Sequence, residues 1–301
     1  MVIRILLLVM FIIGVLFEGY QVIDFLRTKK EGALEEVSFW KTGLVGVFTE
    51  FLDTLGIGSF AILTTIFKNF KLVHDQKIPG TLNTATTLPV IVESLFFITV
   101  VKVDAVTMVT MIVASVVGSA VGGRFVSRFS EHKMQLAMGL ALLAVATIVL
   151  AGQFHLFPVG GEAMGLAGTK LWIAIVGMFV FGSLQAVGIG LYAPCMGMVF
   201  ALGMNPIAAF PIMMTASGLM QPFAAVQFMQ KKAYDVKASA SIAILGCIGV
   251  VLAATIVKSL PVYALKWLVV AVVLFTSYTM FRSYRGRIKL TELEGYPPVI
   301  H

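Results

Sequence analysis

Hydrophobic side chains along this chain come in long blocks, not in the alternation of a half-buried surface. Ala105–Gly123, Met134–Ala151 and Trp267–Phe281 hold no acidic or basic residue, and the first two approach the ~20 apolar residues that carry a helix across a bilayer. Further blocks run over Gly80–Val101, Pro206–Met229, Ala238–Val257 and Val262–Phe281, separated by short stretches that collect most of the Lys and Arg. The pattern predicts an all-α polytopic membrane protein. At the amino terminus, Ile5–Phe17 follows Arg4 as in a secretory signal, but no small-residue cleavage site comes after it. Val2–Leu26 therefore reads as an extra transmembrane helix that is retained, with Glu18 and Asp24 solvated at its interfacial end and Arg27–Ser38 as a loop.

The blocks repeat. Shifting the sequence so that Trp40 falls on Trp172 also superimposes Leu52 on Leu184, Gly56-Ile57-Gly58 on Gly188-Ile189-Gly190, Ala61 on Ala193, Pro79 on Pro211 and Phe96 on Phe228. After a one-residue slip, Asp104 meets Asp235 and Gly118 meets Gly249. The chain divides into a first helix and cytoplasmic loop (1–39), a first transmembrane repeat (40–152), an extracellular linker (153–171), a second transmembrane repeat (172–283) and a cytoplasmic tail (284–301). Internal repeats in a membrane chain point to secondary transporters.

Each repeat opens on an apolar segment interrupted by Gly-Ile-Gly. As straight helices, Trp40–Phe67 and Trp172–Phe200 would run over about 40 Å, against a hydrocarbon core of ~30 Å. They either tilt strongly or fold back at the glycines. The cations favour folding back. With two re-entrant helical hairpins and the amino terminus outside, only Arg4, Lys102, Lys170, Lys258 and Lys266 lie outside, and the carboxyl terminus is cytoplasmic. Full crossings would move Lys68, Lys71, Lys77, Arg124, Arg128 and Lys133 outside, against the positive-inside rule. Three crossings plus a hairpin is an odd number, so the repeats are inverted and their glycine breaks enter from opposite faces to meet near the midplane.

Composition excludes other classes. At 59% hydrophobic and 12% charged residues, the chain is far from the roughly 45–50% and 25% of soluble domains. The net charge of +7 resides in loop cations, so it marks orientation in a cell membrane and no nucleic-acid partner. Cys195 and Cys247 sit in apolar segments without a CxxC or His partner and read as packing residues. His74, His132, His155 and His301 lie in loops or the tail, with no HExxH or paired ligand spacing, so neither an enzyme nor a cofactor or metal centre is expected.

The candidate chemistry gathers at the breaks. Gly56 and Gly58 permit a turn inside the membrane, where freed backbone groups need protein or a water-lined cavity. The half-helix after Gly58, with Ser59 as a cap, offers N–H groups and a positive dipole end to an anion. Gly188 and Gly190 repeat this, with Leu191 in place of the serine. Packing of helices at small residues is the simpler use of such glycines. Asp53 aligns with Gln185, and Glu50 lies one turn earlier on the same face. A carboxylate costs about 2.5–3.5 kcal/mol at the centre of a membrane helix, so Glu50, Asp53 and Glu93 need a reason. Proton coupling is one; structural pairs with Lys41, Lys102 or backbone groups are the other. After each hairpin, Asn83-Thr84-Ala85 lies over Thr215-Ala216-Ser217, small amides and hydroxyls that suit an oxyanion or helix packing alike.

The two Gly-Ile-Gly breaks, the Gly80-Thr81-Leu82-Asn83 element that follows the first, and the duplicated halves resemble the TauE/SafE sulfite exporter family, also called the 4-toluene sulfonate uptake permease family. The resemblance covers roughly residues 40–283. It implies a permease for sulfite, an organosulfonate or a related small sulfur-containing anion, driven by a proton or another ion. The chemistry of the residues themselves puts Gly56, Gly58, Ser59, Thr81, Asn83, Gln185, Gly188, Gly190, Thr215 and Ser217 forward as substrate contacts and Asp53, Glu50 and Glu93 for proton coupling. A rival reading is a small-cation transporter in which Glu50, Asp53 and Glu93 are the ligands, since no Lys or Arg stands mid-membrane to hold an anion.

Overall fold

The computed structural model of the protein describes residues 2–122, 161–185, 190–259 and 261–294, with isolated positions between 136 and 154. Among these residues the chain is helical and forms no strand, Ala163 and Met204 making an isolated bridge. Five helical stretches are long and apolar enough to cross a membrane: Ile3–Lys30, Ile78–Val100, Gly168–Gln185, Pro206–Gln230 and Val236–Val257. Much of the span expected at Met134–Ala151, part of the linker 153–171 and Gly188 lie outside the described residues.

Helix α1 (Val2–Lys30) turns Leu8, Phe11, Leu16 and Ile23 outward, as a helix facing lipid does. It runs past the expected end at Leu26 because Arg27, Lys29 and Lys30 in its last turn complement the helix dipole, and Arg27 pairs with Glu31 at 3.0 Å. Asp24 is not solvated, as its place near the helix end suggested. It is buried, and accepts hydrogen bonds from Lys232 Nζ and the Tyr234 hydroxyl, which fastens α1 to a loop far along the chain. Glu18 has one carboxylate oxygen, Oε1, buried without a hydrogen-bond partner.

The first broken segment forms α2 (Phe39–Thr54) and α3 (Ser59–Asn69), with Gly56 at φ +92° and Gly58 at φ +88° between them. The left-handed backbone at both positions is why glycine stands there. Helices α4 (Ile78–Val100) and α5 (Ala105–Val117) follow, the latter continuing through a π turn at Gly118–Gly122. The second broken segment gives α6 (Gly168–Gln185) and α7 (Tyr192–Ala201), followed by α8 (Ala209–Gln230), α9 (Val236–Ser259) and α10 (Val262–Glu294). Helix α10 carries the chain well into the expected tail. At 1.5 Å per residue α2, α3 and α7 are about 24, 16 and 15 Å long, each short of a ~30 Å hydrocarbon core.

Helices α4 and α8 are buried on nearly all sides and pack on each other, which is why neither shows a polar stripe. Helix α2 lies against α9 as α6 lies against α5. Glycine sets both distances. A Cβ at Gly249 would sit 2.1 Å from the Val47 carbonyl oxygen, and one at Gly118 would sit 2.0 Å from that of Phe179. Val47 aligns with Phe179 and Gly118 with Gly249, so one contact recurs at matching positions of the two halves.

The helix starts recur too. Asp104 Oδ1 accepts the Thr107 N–H at 2.8 Å at the start of α5, and Asp235 Oδ1 accepts that of Ala238 at 2.8 Å at the start of α9. The backbone and hydroxyl of Thr107 hold the Asp104 carboxyl below its usual range. Burial pushes that of Asp235 up to about 6, against the opposing Ala238 N–H. In the loop after α1, Glu35 accepts Lys77 Nζ at 2.9 Å and the N–H groups of Val236 and Lys237 at 3.3 Å, joining the starts of α4 and α9.

Candidate functional site

Three buried carboxylates converge at the first break. Glu50 and Asp53 stand one turn apart at the end of α2, and α4 brings Glu93 beside them. One oxygen from each lies within 4.8 Å of the others. The partners are unevenly shared. The Thr54 hydroxyl donates to Glu93 Oε1 at 2.5 Å and the Tyr192 hydroxyl to Glu93 Oε2 at 3.1 Å, while Asp53 Oδ1 accepts the Ser59 N–H. Both oxygens of Glu50 are buried without a hydrogen-bond partner. On the far side Gly246 of α9 makes room, for a Cβ there would fall 2.7 Å from Glu50 Cγ.

The alternative of structural pairs with Lys41 or Lys102 does not form, although Asp53 does find a backbone partner in the Ser59 N–H. Among the described residues the ion pairs are Arg27 with Glu31, Lys77 with Glu35 and Lys232 with Asp24. Burying an uncompensated ion costs several kcal/mol, so the cluster requires protons or a bound cation to balance it.

The anion seat expected at the start of α3 is also changed. Gly58, not Ser59, is the cap residue, and Ser59 opens the helix with its N–H given to Asp53. The protein's own carboxylate thus occupies the positive end of α3. A Cβ on Gly58 would meet nothing within 4 Å, whereas Gly56 packs under Met196, whose Cε would lie 2.2 Å from such an atom.

At the second break Gln185 takes the position of Asp53. Its amide nitrogen and oxygen each lie 3.2 Å from Ser217 Oγ on α8. The start of α7 has no side-chain cap, and Gly190 borders open space. Thr215 Oγ1 is buried without a partner. Thr81 and Asn83 stay outside both groups. Thr81 Oγ1 donates to the Lys77 carbonyl at 2.8 Å and accepts the Asp235 N–H at 2.9 Å, a junction of α4 with the start of α9, and Asn83 turns back to the Pro79 carbonyl at 2.9 Å.

Tyr192 connects the breaks. It opens α7, is 5% exposed, and reaches Glu93 beside Asp53. The sequence reading passed over it, as it did Thr54 and Gly246. Its signal is a phenol two residues after the second Gly-Ile-Gly, where the first repeat has Phe60. Comparison of the chain with protein-family models, curated proteins and solved structures finds no match in any of the three.

Proposed function

We propose that the protein is a secondary active transporter of the plasma membrane that moves a small anion by alternating access, its amino terminus outside and its carboxyl terminus cytoplasmic. In this reading the halves are inverted repeats, the two glycine breaks are re-entrant hairpins, and the solute is sulfite, an organosulfonate or a related sulfur-containing anion. The observation that carries it is the division of polarity between two breaks joined by the Tyr192–Glu93 bond. The first holds three acids and suits a proton or another coupling cation. The second is neutral, with the Gln185–Ser217 pair and the uncapped start of α7, and suits an oxyanion. Recurrence of the Val47–Gly249 contact at Phe179–Gly118 supports two halves built alike. The acid cluster itself favours one other reading, in which the cation is the cargo.

Flux in proteoliposomes separates them. Under an imposed pH or sodium gradient, sulfite or a small sulfonate should accumulate and simple carboxylates should compete weakly. Cation flux that is indifferent to every anion offered would overturn the anion reading, and no flux of either would overturn transport.

A further inference from the structure

We infer that Glu50, Asp53 and Glu93 form a binding site for a small hard metal cation held through oxygen. The inference deepens the reading above, because it identifies the coupling ion as a metal ion where protons alone would otherwise serve.

The first ground is geometry. Oxygens that share a cation at 2.3–2.6 Å, the range for calcium, stand at most about 5 Å apart across it. One oxygen of each carboxylate already lies within 4.8 Å of the others, so a point about 2.8 Å or less from all three exists and small side-chain adjustments bring them onto one ion. Magnesium, at about 2.0–2.1 Å, would require the set to contract to about 4 Å.

The second ground is the condition of Glu50. Both its oxygens are buried and neither has a hydrogen-bond partner. A proton satisfies one oxygen of a carboxyl and leaves the other orphaned, whereas a cation engages both at once. Asp53 and Glu93 differ in this respect. The Ser59 N–H and the Thr54 and Tyr192 hydroxyls already hold them, which fixes the directions in which their remaining lone pairs point.

Charge and ligand type select the ion. No Lys or Arg pairs with the three acids among the described residues, so a bound cation lowers the cost of keeping them buried. The donors are carboxylate oxygens supported by hydroxyls, a set that suits hard ions over the softer ions taken by thiolate or imidazole. Sodium and calcium have similar radii and share this chemistry; gradient coupling favours sodium.

The test needs no solute. Purified protein in detergent, held in choline chloride with a chelator, is titrated with sodium, calcium, magnesium or potassium at constant ionic strength. Apparent melting temperature is followed beside equilibrium binding of radiolabelled sodium or calcium. The expected result is a saturable rise in melting temperature with either sodium or calcium, because an ion that binds only the folded state stabilises it. Binding should be about one ion per chain, and Glu50→Gln and Glu93→Gln should each weaken it by about tenfold or more. The exposed-side variant Glu31→Gln should leave it unchanged. Absence of saturable binding to the wild type would overturn the site, whether or not the variants fold. So would binding by Glu50→Gln and Glu93→Gln equal to that of the wild type. If binding fails while gradient-driven solute flux persists, the proton remains as coupling ion; if binding holds and no solute moves, the transport reading alone falls.

Discussion

The two helix breaks share a glycine pattern and a packing geometry, yet they do not share chemistry. Where the first repeat has Glu50, Asp53 and Glu93, the second has Gly182, Gln185 and Ala225. The contact between helices shows how the difference is accommodated. Glu50 of α2 faces Gly246 of α9, while Gly182 of α6 faces Ser115 of α5, its position so close that a Cβ would sit 2.0 Å from the Ser115 carbonyl oxygen. Each pair has one glycine, but on opposite sides of the contact. The backbone plan is duplicated and the charge is not. On the proposed reading this inequality is what lets a cation sit beside an anion, because two identical half-sites would favour one sign of charge.

The largest effect should come from exchanging the two solutions. Gly182→Ala drives a methyl group into the backbone of α5, which cannot retreat as a flexible side chain would. Overpacking of this kind costs about 3 kcal/mol or more, so the variant should lose its monodisperse peak on size exclusion or melt well below the wild type. Gly190→Ala, with nothing within 4 Å of the added atom, is the matched control and should elute and melt as the wild type does. A fully stable Gly182→Ala would mean that α5 and α6 do not approach as closely as α2 and α9.

Much of this plan was legible in the sequence, and what escaped it was long-range. The first break falls at Gly56-Ile57-Gly58 because the positive φ at Gly56 and Gly58 demands that residue. The matched Asp104 and Asp235 are matched helix caps, since a short acid before an apolar block is a local signal. That Asp53 would cap its own partner helix was within reach, for only a short turn separates it from Ser59. Convergence of Glu93 with Glu50 depends on how α4 packs, and the Asp24 pair with Lys232 joins segments that no local pattern relates. Tyr192 escaped because a tyrosine in an apolar run reads as packing until its hydroxyl has a partner.

Asp53→Asn sharpens the comparison on the side of function. The amide oxygen can still accept the Ser59 N–H, so α3 keeps its cap, and the first break becomes neutral at that position like Gln185 in the second. The variant should fold and exchange solute at equilibrium, while its gradient-driven accumulation falls by roughly tenfold or more, within the range of site-to-site coupling. Accumulation is measured as the solute ratio across proteoliposomes with and without the gradient. Wild-type accumulation would make Asp53 a structural cap alone and confine coupling to Glu50 and Glu93.

Tyr192→Phe should have the smallest effect and the most specific one. Its ring is buried and stays in place, so what disappears is the hydroxyl that donates to Glu93 at 3.1 Å from the opposite break. A hydrogen bond of this kind contributes about 1 kcal/mol net, somewhat more when the acceptor is charged, which corresponds to a fall of about 2 °C in melting temperature for a chain of this length. Cation binding should weaken a few-fold, since Glu93 is held less firmly. Binding of the anion should not change, because Gln185 and Ser217 bond to each other and not to Tyr192. The reverse pattern, with intact cation binding and weakened anion binding, would place Tyr192 with the solute, and the first break could no longer be read as a cation site with the second as its neutral counterpart.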